Sequence, residues 1–266
     1  MACAMMILAM AGMMSSCKKE YKQQVVYSAG WADYKFISYA AAQDMKTVKD
    51  YLVEKGALNV GQYKIYDVTS KNSEEDCLKQ ADEMAKADFA NAVRNLKVEE
   101  IQPRIAASSY FTYEWSRTND GGGKVEIGRW ECPSVQIPSE LGKITVNGTE
   151  YSVTNASLSG TTIGEFSASK MSLRAGDVRF YLTIGGPEYS MLNPIVPIGE
   201  FAINNNNAKC QFVFNGIKYN AGEMSCTISK NGAFYRIVTS EGTAVADDGS
   251  EISFKVNCDY VAFNID

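Results

Sequence analysis

The sequence has no histidine among its 266 residues. Imidazole is the usual general base near neutral pH and the commonest metal ligand, so histidine-dependent triads, histidine-ligated zinc sites and histidine proton relays are excluded. Positive charge is not in excess: 26 Lys and Arg face 31 Asp and Glu, a net charge of −5. A chain so balanced does not neutralise phosphates, and nucleic acid is not an expected partner. Long apolar runs are scarce too. Met5 to Met14 is uncharged and apolar, but far short of the roughly 20 residues that cross a bilayer as a helix. What is present is a 45% hydrophobic chain, enough to bury one large or two ordinary domains without covalent staples.

The apolar run has the length of a signal-peptide core. Ser15-Ser16-Cys17-Lys18-Lys19-Glu20 follows it directly, two small residues before a cysteine and then an abrupt turn to charge. This junction looks like a lipobox and resembles that of Bacteroidales-type surface lipoproteins of unknown function. The resemblance implies a signal peptide over residues 1–16, diacylglycerol on the Cys17 sulfur, acylation of the new Cys17 amino group, and a lipidated tether over 17–24. A thiolate is the nucleophile such thioether chemistry needs. Two or more acyl chains anchor a protein stably, so the expected address is the outer membrane of a bacterial envelope, facing the cell surface. No cofactor is expected beyond that covalent lipid. The sequence departs from the pattern in having no Lys or Arg within Met1-Ala2-Cys3-Ala4, and Met14 where Leu is more usual.

Cys3 and Cys17 belong to that segment, which leaves Cys77, Cys132, Cys210, Cys226 and Cys258, an odd set without paired spacing. Cys210, Cys226 and Cys258 alternate with apolar residues, as buried thiols do. Core thiols are the first reading and a Cys226–Cys258 bridge the second.

Residues 25–132 mix strand and helix. Val25-Val26-Tyr27 and Tyr63–Val68 alternate as strands, and Met45, Val48 and Leu52 recur at helical spacing between Ala41 and Lys55. Ser73 opens the clearest helix, with Glu74, Glu75 and Asp76 in its first turn and Leu78, Ala81, Ala85, Phe89, Ala92 and Leu96 along one face. A hairpin turning at Asn119–Gly123 closes the region. The order β-α-β-α-β-β predicts an α+β domain with helices on one side of a sheet. Pro133 and Pro138 bracket an expected linker over 133–138.

Over 139–266 the helical period disappears. Asn147-Gly148, Asn215-Gly216 and Asn231-Gly232 suit type I′ hairpin turns, and Asp248-Gly249 is a fourth turn of that spelling. Closely spaced alternating strands predict an all-β antiparallel sandwich or barrel-like domain. Ser229-Lys230-Asn231-Gly232, Tyr235-Arg236-Ile237-Val238 and Asp247-Asp248-Gly249 are similar in layout to β-sandwich domains of the same lipoproteins, a likeness that implies fold and location rather than activity.

Motifs for chemistry are incomplete. Ser167-Ala168-Ser169-Lys170 spells Ser-x-x-Lys but lies in a β-rich stretch without a Lys-Thr-Gly or Ser-Asp-Asn partner. Gly121-Gly122-Gly123-Lys124 lacks the strand-loop-helix setting of a phosphate loop. Asp247, Asp248 and Glu251 are better explained by a turn than by calcium, and no metal site is expected. Phe111, Tyr113 and Trp115, with Trp130 nearby, would make a stacking platform for sugar rings if exposed, or the face covered by the Ser73 helix if buried. The expected function is a non-catalytic binding or accessory module on the membrane, its partner a glycan or envelope protein. The alternatives are a carboxylate-dependent hydrolase and a structural subunit of a fimbria or surface layer.

Overall fold

The computed structural model describes residues 19–36, 41–163, 166–185, 198–203 and 208–263. The N-terminal region follows the expected alternation. Its elements are β1 (Tyr21–Lys35), α1 (Ala41–Glu54), β2 (Tyr63–Ser70), α2 (Glu74–Val93), a one-turn α3 (Val98–Ile101), β3 (Tyr110–Thr118) and β4 (Lys124–Cys132). The four strands form one sheet in the order β2-β1-β3-β4. β1 runs far past the Val25–Tyr27 core evident in the sequence.

Ser73 is the N-cap of α2, its hydroxyl accepting the Asp76 N–H at 3.0 Å, which satisfies one orphan donor of the first turn. The buried row is Cys77, Ala81, Ala85 and Phe89, a strict i+4 stripe. Leu78 and Ala92 are only half-buried, and Leu96 lies beyond the helix end. Two alanines in mid-stripe bring the helix close to the sheet, and Gly128 makes room for Phe89: a Cβ there would lie 2.2 Å from the Phe89 ring.

The remaining strands are all β, as expected: β5 (Gly142–Val146), β6 (Thr149–Val153), β7 (Asn155–Ile163), β8 (Phe166–Ala175), β9 (Val178–Gly185), β10 (Gly199–Ile203), β11 (Ala208–Phe214), β12 (Ile217–Ala221), β13 (Met224–Asn231), β14 (Phe234–Thr239), β15 (Gly242–Ala246) and β16 (Glu251–Phe263). They form one sheet in which β16 pairs with β15 near its start, with β5 and β14 in its middle, and with β7 at its end. The β16–β7 pairing closes β16, β15, β12, β11, β9, β8 and β7 into a ring. That pairing is parallel; the other pairings in this sheet are antiparallel. Ile144, Phe180, Phe212, Phe254, Val256 and Cys258 are among the side chains of the core, with Phe212 and Phe254 ring centroids 4.1 Å apart.

Asn147-Gly148 and Asn215-Gly216 have positive φ at both residues, as a type I′ turn requires. The other two turns differ. Asn231 pairs with Phe234, so Gly232 and Ala233 are the central residues and only Gly232 has positive φ, the pattern of a type II′ turn. At Asp247–Gly249 only Gly249 has positive φ, and Asp248 accepts both the N–H and the hydroxyl of Ser250. That bonding occupies the carboxylate considered for calcium.

Contacts along the chain fall into two compact units. One comprises residues up to Gly30 with Ala57–Asn95 and Glu114–Arg129, the other Trp31–Gly56, Leu96–Tyr113 and Trp130–Asp266. The division runs through β1, β3 and β4. Residues 133–138 are not a free connection: the Gln102 side chain donates to the Pro133 carbonyl at 2.7 Å, and the Val135 N–H donates to the Ala107 carbonyl at 3.0 Å.

Candidate functional site

Phe111, Tyr113 and Trp115 do not form a binding platform. The first two are fully buried and Trp115 is 2% exposed, and Phe89 of α2 packs edge-on against Trp115 at 5.7 Å. Trp130 is half-buried against Phe111 at 5.6 Å. Phe111 also meets Trp31 and Phe36, rings whose grouping came from a strand longer than its sequence pattern suggested. These aromatics serve as core.

The other chemical candidates resolve in the same way. Cys77, Cys132, Cys210, Cys226 and Cys258 are buried free thiols, so the alternative Cys226–Cys258 bridge is not formed. Burial pushes Cys226 up to about 12 and Cys258 up to about 11, which leaves both as inert thiols at neutral pH. Ser167–Lys170 lies inside β8, with Ser169 buried and the Lys170 ammonium over the Tyr181 ring at 5.0 Å. Asn119 Oδ1 accepts the N–H groups of Gly121 and Gly123 at 3.1 and 2.7 Å, which makes the glycine run a hairpin turn. Among the described residues no cluster of His, Cys, Asp or Glu is arranged to hold a metal.

Asp44 on α1 is a buried carboxyl, 5% exposed, whose Oδ2 accepts the Ala106 N–H at 3.1 Å and the Ser109 hydroxyl at 2.7 Å. Burial raises its pKa, opposed by these two bonds and by Lys230. A carboxyl whose folded pKa is raised binds protons more tightly when folded, so its ionised form weighs against folding as pH rises above the unfolded value. Asp44→Asn keeps an acceptor oxygen without the charge. Its stability relative to wild type should therefore increase from pH 4 to pH 7 in urea titrations; a constant difference would refute the burial argument.

The side of the small sheet facing α2 is held by a polar network. Asp82 of α2 accepts the Tyr27 hydroxyl at 2.7 Å and two N–H groups of Arg117, from Nε at 2.7 Å and Nη2 at 2.9 Å. Arg117 holds the Asp82 carboxyl below its ordinary pKa, whereas burial and Asp82 push the Tyr27 hydroxyl up, keeping it protonated. Asp88 repeats the device, accepting from the Tyr66 hydroxyl at 2.7 Å and from Lys64.

Beside this network, between the first half of β1 and the β3–β4 turn, lies a groove of about 360 Å³. Its walls present the carboxamides of Gln23, Gln24 and Asn119 and the hydroxyls of Ser28 and Thr118, with Asp120 at the turn and Arg117 beneath. The Gln23 carboxamide oxygen is buried with no hydrogen-bond partner among the described residues. Val26 and Ser28 also line the groove and are the antiparallel partners of Ile65 and Tyr63. Direct partners project to the same side of a sheet, so Tyr63 (65% exposed) and Ile65 (43%) share with Val26 (47%) and Ser28 the sheet face turned away from α2, while Gln23, Val25, Arg117 and Leu78 of α2 line the groove from the other side. These residues were not singled out by sequence pattern. Tyr63 and Ile65 read as ordinary alternating strand, and the amides come together only when β1 meets a turn far along the chain.

No protein-family model, curated protein or solved structure matches this chain.

Proposed function

We propose that the protein is a lipid-anchored, non-catalytic binding or accessory module of the bacterial envelope, held at the outer membrane through Cys17 and presenting the outer face of its small sheet to a glycan or an envelope partner. The Ser-Ser-Cys-Lys-Lys-Glu junction carries this reading. Of the tether expected over 17–24, residues 21–24 are instead the start of β1, so any tether from Cys17 ends before Tyr21. The non-catalytic part draws support from the lack of histidine. It also draws on Asp44, the carboxyl with a raised pKa among the described residues, being buried and committed to two hydrogen bonds.

Metabolic labelling with palmitate tests the anchor. The wild-type chain should take up label and partition into the membrane fraction, and Cys17→Ala should abolish the labelling while the protein still accumulates. Equal labelling of the two forms would end this reading.

A further inference from the structure

We propose that the groove between β1 and the β3–β4 turn, together with Tyr63, binds a neutral oligosaccharide. This rests on the reading of the small sheet's outer face as a binding surface. Three observations select the ligand class. Tyr63 is the most exposed aromatic of that face at 65%, and it stands directly across from Ser28 on the groove wall. An aromatic ring offers its electron-rich face to the weakly positive C–H side of a sugar while its hydroxyl stays wet.

The polar groups of the groove are mixed in kind and mostly uncharged. The Ser28 and Thr118 hydroxyls on its wall can accept as well as donate. The Asn119 oxygen is occupied by its own turn, which leaves the Asn119 amide hydrogens to donate. Gln24 is pinned by its bond to Asp67 at 3.1 Å. Neighbouring donors and acceptors suit vicinal hydroxyls, each of which both donates and accepts, and a few placed polar groups beside an apolar wall are the usual construction of a small-ligand site.

The charges disfavour an anionic ligand. Arg117, the cation of the groove, is neutralised by two bonds to Asp82, and Asp67 and Asp120 flank the face. A groove of about 360 Å³ is also at the lower end of the roughly 300–1,000 Å³ range of small-ligand sites.

The test is binding of the full-length protein in detergent to an array of neutral, uronate-bearing and sulfated oligosaccharides. Tyr63→Ala, Tyr63→Phe and Asn119→Ala are run beside wild type, and circular dichroism checks that each is folded. Wild type should bind neutral members, Tyr63→Ala should weaken that binding about tenfold, and Tyr63→Phe, which keeps the ring, should largely retain it. The proposal is overturned if no neutral glycan binds, if acidic glycans are preferred, if Tyr63→Ala binds as wild type does, or if the same substitution instead abolishes self-association of the chain. None of these outcomes depends on lipid at Cys17, so failure here is distinguishable from failure of the palmitate experiment.

Discussion

Gly142→Ala should destabilise the β-rich part of the protein by about 4 kcal/mol, enough to leave much of it unfolded at 37 °C. Gly142 opens β5 with φ +152, a conformation that side-chain-bearing residues rarely adopt, and it pairs with Cys258 on one side and Val153 on the other. A Cβ at this position would lie 2.4 Å from both the Asn257 carbonyl oxygen and the Cys258 Cα. Those are backbone atoms of β16 and cannot rotate away. Relief requires β5 to separate from β16 at the place where the adjacent Leu141 carbonyl accepts the Asp259 N–H at 2.9 Å and the Cys258 thiol at 3.3 Å.

Gly148→Ala is the matched control. Its φ is +80 but nothing lies within 4 Å of an added Cβ, so only backbone strain of about 1 kcal/mol is at stake. Far-UV circular dichroism in urea is the suitable measurement, because Trp31, Trp115 and Trp130 all precede β5. A Gly142→Ala midpoint no lower than that of Gly148→Ala would show that the β5–β16 seam is looser than described.

Features fixed by nearby residues were the most readable in the sequence. α2 follows from the Ser73 cap and the Ala81, Ala85 and Phe89 part of its stripe, although the buried row begins at Cys77 rather than Leu78, and the Asn-Gly turns at 147–148 and 215–216 follow from two residues that tolerate positive φ. Where spelling and register compete, register wins. Asn231-Gly232 has the I′ spelling, but pairing of Asn231 with Phe234 moves the turn one residue along, and the Asn231 side chain bonds the Asp259 carbonyl at 2.8 Å instead.

Long-range closure leaves no local mark. The parallel contact of Ala262 and Phe263 with Ser157 and Leu158 could not be anticipated from either segment. β3 presents the same difficulty. Alternation places Phe111, Tyr113 and Trp115 on one face, which is correct, but Thr112 and Glu114 between them are buried too, and period-2 patterning does not distinguish one covered face from two. The groove is the least readable feature, because amides and hydroxyls are ordinary surface residues until pairing sets them around a common space.

Asp82→Ala should cost the α2-bearing unit about 3 kcal/mol at pH 7. The substitution leaves Arg117, whose side chain is 12% exposed, and the fully buried Tyr27 without their shared acceptor. Breaking a buried ion pair from one side costs about 3–5 kcal/mol and stranding a hydroxyl about 1–3. The 20% exposure of the Asp82 side chain lets water recover part of both. Asp82→Asn keeps an acceptor for Tyr27 and loses only the charge, so it should cost about half as much. Asp82→Ala with Arg117→Met removes the stranded cation and should recover at least 1 kcal/mol of the loss.

The pH dependence fixes the mechanism. The folded pKa of Asp82 is lowered, chiefly by Arg117, so its stabilisation is fully present above the ordinary carboxylate range and disappears as pH falls through the folded value. Wild type and Asp82→Ala should therefore converge in urea midpoint below about pH 4, followed by fluorescence of Trp115, whose ring packs on Phe89 of the same helix. A gap that stayed constant from pH 7 to strong acid would mean that Asp82 stabilises through contacts that do not depend on its charge, and no gap at pH 7 would mean that α2 is held by the Cys77–Phe89 stripe alone.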